Sequence, residues 1–96
     1  LMSDEDKYFY SRILSNIGGY YKHRFADWNK ALVFYLKADQ ALKGVKGYDA
    51  IKCNVFYNLA NVYISLGRME DAEHEINKMQ KMFDIGIVDK EEIGML

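Results

Sequence analysis

Proline is absent from this 96-residue chain, so no position carries the residue that most strongly breaks a helix or pre-sets a turn. Turns are left to glycine and short polar residues. Cysteine occurs once, at Cys53, which excludes an intramolecular disulfide and any zinc site built on paired cysteines. A reducing compartment is permitted. No stretch approaches the ~20 consecutive apolar residues of a membrane-spanning helix. The opening LMSDEDKYFY also puts acids where a secretory leader carries basic residues. The expectation is a cytoplasmic chain with no membrane contact. It starts on Leu rather than Met, and it is expected to be a piece of a longer protein.

An excess of either charge is also missing, the net charge being -1. The charge is unevenly placed, with a balance of +3 over residues 1–48 and -4 over 49–96. Nucleic-acid binders show a concentrated basic stripe, so no direct nucleic acid contact is expected. The asymmetry instead suits packing against neighbours. Apolar residues make up 50% of the chain and charged residues 28%, which separates it from disordered sequences and indicates a folded domain.

Apolar residues recur at helical spacing in four stretches. The first helix is expected from Asp4 or Asp6 to Arg24, its acidic start suiting the positive end of the dipole. Gly18 and Gly19 lie inside it at a cost of roughly 1 kcal/mol each against Ala, and close approach of another backbone is the expected reason. A second helix follows Asp27 and ends near Lys43 and Gly44, giving a first hairpin over 4–43. A third begins near Asp49 and stops before Gly67. A fourth runs from Met69 to before Gly86, giving a second hairpin over 49–85. Only Gly67 and Arg68 separate the last two stretches, so they are expected to fold back on each other. Residues 86–96 read as a tail or the start of a further helix, with Asp89 and Glu92 spaced as a capping box.

The hairpins resemble each other. Leu14, Ile17, Gly18 and Tyr21 align with Phe56, Leu59, Ala60 and Tyr63 at an offset of 42, while Ala31, Tyr35 and Ala38 align with Ala72, Ile76 and Met79 at 41. This is an internal repeat with a one-residue adjustment in the turn. The repeated residues resemble the tetratricopeptide repeat family, in which a large residue, Leu, Gly and Tyr are followed by Ala, an aromatic and Ala. Residues 56–79 fit well. In residues 14–38, Phe25 stands where the turn glycine belongs, and both lack the closing proline. The spacing exceeds the usual ~34 residues. It is similar to the long repeats of kinesin light chains and bacterial peptide-sensing regulators.

The resemblance implies an all-α fold of antiparallel hairpins stacked as a right-handed solenoid. It makes Leu14, Ile17, Gly18, Tyr21, Ala31, Ala38, Phe56, Leu59, Ala60, Tyr63, Gly67 and Ala72 packing and turn residues. Gly18 and Ala60, opposed to Ala31 and Ala72, are expected to be where the helices of each hairpin cross.

Catalytic chemistry finds little to stand on. His23, Cys53 and His74 are far apart in sequence, with no metal-ligand spacing, and Cys53 falls early in an amphipathic helix as a small apolar filler. Adjacent acids such as Glu70 and Asp71 diverge around a helix. No enzymatic activity, cofactor or metal site is expected.

A binding surface is the better expectation. The resemblance places a ligand-facing side at Arg12, Ser15, Asn16, Gly19, Lys22 and His23 on the first helix, and at Asn54, Tyr57, Asn58, Asn61 and Ile64 on the third. Asn54, Asn58 and Asn61 return after four and three residues and share one face, where amides can meet both the donor and the acceptor of a peptide backbone. Arg12, Lys22 and His23 make the first face basic and favour an acidic partner. The family's carboxylate clamp is not reproduced, since Ser15 and Gly19 replace its lysine and asparagine. The expected role is non-catalytic recognition of a peptide or protein, as the sensory part of a bacterial regulator. The alternative is a scaffold segment that self-associates as a homo-oligomer.

Overall fold

The computed structural model describes residues 2–84, which form four α-helices and no strand. They are α1 (Asp4–Phe25), α2 (Trp28–Ala41), α3 (Asp49–Ser65) and α4 (Met69–Asp84). Residues 2–47 and 48–84 belong to separate units, each a helix pair: α1 packs on α2, and α3 on α4. The helix pairs span residues 4–41 and 49–84. The expectation for residues 86–96, with Asp89 and Glu92, lies outside the described residues.

α1 begins at Asp4, one of the two expected starts. Ser3 is its cap, with Asp6 N–H donating to Ser3 Oγ at 3.1 Å and Ser3 N–H donating to Asp6 Oδ2 at 3.4 Å. Asp27 caps α2 as expected, its carboxylate accepting from Lys30 N–H at 3.1 Å. α3 begins at Asp49, as expected. The cap position falls to Tyr48, held at φ 55° without a side-chain cap bond. The carboxylate of Asp49 sits in the first turn, where the helix dipole favours it.

The two hairpin turns are built alike with one residue of difference. In the second, Gly67 takes φ 76° and Arg68 N–H donates to Tyr63 C=O at 2.8 Å. In the first, Ala26 takes φ 49° and Asp27 N–H donates to Tyr21 C=O at 3.1 Å. Both turns close on the repeated tyrosine's carbonyl, and both next helices open with a bond to the donor residue: Ala31 N–H to Asp27 C=O at 3.0 Å, and Ala72 N–H to Arg68 C=O at 3.1 Å. The extra residue is therefore absorbed inside the first turn, where offset 42 becomes 41. Phe25, expected at the turn glycine's place, remains helical, and the left-handed residue is the one after it.

Packing within each hairpin follows the repeat at Gly18 and Ala60, Ala31 and Ala72, and Ala38 and Met79, which are buried in both hairpins. Leu14, Gly18, Ala31, Tyr35 and Ala38 are buried in the first, and Leu59, Ala60, Tyr63, Ala72 and Met79 in the second. Ile17, Tyr21 and Phe56 are only partly buried. Ser11 is buried too, donating to Ala38 C=O at 3.0 Å. Its repeat partner Cys53 is buried against Met79, the partner of Ala38, with Ala50, Phe56, Met82 and Phe83 around them. The repeat thus extends one turn further back than Leu14 and Phe56.

Two expectations need correction. Gly18 does not make room for a backbone: a Cβ there would stand 2.9 Å from Tyr35 Cε1 and 3.0 Å from Cδ1, so the space belongs to a side-chain ring. Ile76, aligned with Tyr35, is 45% exposed, and α4 instead turns Glu75 inward beside Ala72 and Met79. Lys78 Nζ, 3.0 Å from Glu75 Oε2 and 5.0 Å from the centre of the Phe56 ring, neutralises that carboxylate, which a buried charge requires.

Candidate functional site

Helical spacing of four, three and four residues sets Arg12, Asn16, Gly19 and His23 on one side of α1, with Lys22 one turn beyond Gly19. Arg12, Asn16 and His23 are exposed, while Ser15, Gly19 and Lys22 are partly buried. Arg12 is drawn back along its own helix. Its guanidinium carbon lies 5.8 Å from the centre of the Tyr8 ring, and Nη1 reaches Tyr8 Oη at 3.5 Å, a long contact. Gly19 leaves a gap in this row, and Tyr35 of α2 comes up beneath it: a Cβ on Gly19 would stand 3.6 Å from Tyr35 Oη. Tyr35 was expected only as a repeat position, and its contribution to this face depends on α2.

On α3, Asn54, Asn58 and Asn61 are each partly buried, with Tyr57 and Ile64 exposed beside them. Asn58 Nδ2 donates to Asn54 Oδ1 at 3.4 Å. That long bond uses one donor of Asn58 and one lone pair of Asn54. It leaves donors on Asn54 and an acceptor on Asn58. The face thus presents both halves of an amide pairing without a net charge.

A third surface was not anticipated. An open hollow of about 560 Å³ lies at the α1–α2 turn, with Tyr21, Phe25, Asp27, Trp28 and Lys30 in its wall. Its two charged side chains are engaged locally: Asp27 caps α2, and Lys30 Nζ sits 5.1 Å from the centre of the Tyr21 ring. Around it Tyr21 stacks on Phe34 at 5.6 Å, and Tyr20 meets Phe25 edge-on at 5.5 Å. Phe25 and Tyr20 were legible as aromatics in the sequence, but their convergence depends on the turn.

The groups capable of covalent or metal chemistry do not assemble. No group of three or more His, Cys, Asp or Glu suited to a metal ion occurs among the described residues. Cys53 is enclosed, and burial pushes its thiol up from the ordinary 9.0, which keeps it protonated and poorly nucleophilic. Among the described residues no helix is long and apolar enough to cross a membrane.

These features define a class, an all-α protein of helical hairpins that presents polar helix faces. No family model matches the chain, and no curated protein or solved structure matches it.

Proposed function

We propose that this chain is a non-catalytic peptide- or protein-binding module of the tetratricopeptide type, with the stacked right-handed arrangement which that resemblance implies. The observation that carries the reading is the amide row of α3, where Asn54 and Asn58 are hydrogen-bonded to each other and retain a donor and an acceptor. An extended peptide offers the same two groups along its edge, so such a face binds main chain with little demand on sequence. The matched turns that close on Tyr21 and Tyr63 support the repeat assignment. On α1, Arg12 and Lys22 favour an acidic partner. A cytoplasmic role as the sensory part of a bacterial regulator goes with this proposal.

Titration of a 15N-labelled sample with a pool of short random-sequence peptides tests it. The expected result is shifts at Asn54, Asn58 and Asn61, and their absence removes the amide face from the proposal.

A second reading, self-association, has its own support. Ile13 and Tyr20 on α1 are 57% and 55% exposed, whereas their repeat partners Val55 and Val62 on α3 are 1% and 0% exposed. The same register that is covered in one hairpin is open in the other. Sedimentation over a concentration range is the test, with Ile13→Glu expected to suppress any dimer. A monomer at every concentration ends this reading.

A further inference from the structure

Tyr35 makes unequal use of the two neighbouring glycines. Its ring fills the place of a Gly18 side chain, and its hydroxyl continues to Gly19, where an added Cβ would stand 3.6 Å from Oη and 4.0 Å from His23 Cδ2. The residue is 2% exposed, yet its hydroxyl makes no hydrogen bond with any described residue. No fully enclosed polar side-chain atom among the described residues lacks a partner, so this oxygen touches solvent at its tip. A phenylalanine would fill the same space, since the hydroxyl adds no hydrogen bond to the packing. The oxygen is therefore superfluous to packing and is aimed at the one position of the α1 face that has no side chain.

We propose that Tyr35 Oη, reached across Gly19, anchors the main chain of an extended peptide lying along α1 beside Asn16 and His23. This rests on reading α1 as a peptide-binding face. The bare Gly19 lets a backbone come close, as only glycine does. A phenol there donates to a peptide carbonyl, and Asn16, one turn away, supplies both a donor and an acceptor. Burial holds the Tyr35 phenol above its ordinary 10.0, so it remains a donor across the neutral range.

The probe is the pool of short random-sequence peptides, followed by its tightest single member, applied to the wild type, Tyr35→Phe and Gly19→Ala. On the wild type, shifts are expected at Asn16, Gly19 and Lys22. The Tyr35 13Cζ resonance, which a purely structural ring would leave in place, is expected to move with them. Tyr35→Phe keeps the ring, and hence the fold, and is expected to weaken binding roughly three- to tenfold, the worth of one net hydrogen bond. Gly19→Ala, whose methyl makes only ordinary contact with Oη, is expected to stay folded and weaken binding at least as much. Equal affinity of Tyr35→Phe and wild type overturns the anchor and leaves the face intact. Shifts confined to α3, or none at all, overturn the α1 face and the anchor together.

Discussion

Gly18 and Gly19 are adjacent in sequence and opposite in consequence. A methyl at Gly18 would meet the buried Tyr35 ring at 2.9 Å, whereas one at Gly19 would lie at ordinary contact distance from Oη. Gly18→Ala is therefore expected to destabilise the fold by about 1 to 3 kcal/mol through overpacking, less the helix propensity it gains. Gly19→Ala has only the propensity term and is expected to stabilise by up to about 1 kcal/mol. Urea denaturation of the pair decides this, and a Gly18→Ala variant as stable as wild type would contradict the packing described. The sequence marked both glycines as anomalies in a helix. The resemblance assigned Gly18 to packing and Gly19 to the ligand-facing side, but that an α2 ring fills the place at Gly18 came only from the structure. Ser11 shows the converse case. Its polar type gave no hint of burial, although its alignment with Cys53 was available at the same offset of 42.

The turns carry the repeat in their backbone. Ala26 and Gly67 both adopt left-handed φ, at 49° and 76°, but only Gly67 does so without a Cβ in the way. Opposite substitutions should have opposite effects. Ala26→Gly is expected to stabilise the first hairpin by up to about 1 kcal/mol, and Gly67→Ala to cost the second about 1 to 2 kcal/mol. Thermal unfolding of the two variants checks both signs, and a loss of stability in Ala26→Gly would mean that the strain at this turn is relieved in another way. Helix positions were legible because periodicity and caps act within a few residues. The residue before α3 was less so, since no residue type announces that Tyr48 will take a left-handed cap position without a side-chain cap bond.

The fold as a whole should be sensitive to alkali. Burial raises the Cys53 thiol above 9.0 and the Tyr35 phenol above 10.0 in the folded chain. Above those ordinary values the unfolded chain releases protons that the folded chain keeps. The folded state then holds more protons, and stability falls as pH rises. Both contributions are fully present below pH 9 and are lost progressively above it, first from Cys53 and then from Tyr35. Urea midpoints measured from neutral pH upward are expected to be level at first and then to decline. A midpoint that holds constant well past pH 10 would show both groups to be open to solvent.

Local chemistry in the sequence was enough to determine four helices, two tight turns and a doubled register, because hydrogen-bond periodicity, capping and glycine placement depend on near neighbours. The tertiary structure decided which side chains share that register's interior. It turned Glu75 inward in place of Ile76 with Lys78 beside it, gave Gly18 to a ring, and left the Tyr35 hydroxyl beneath Gly19 with no hydrogen-bond partner among the described residues. Those outcomes depend on the rotation and depth at which one helix seats on another. Many side chains set that seating together, and no single spacing encodes it.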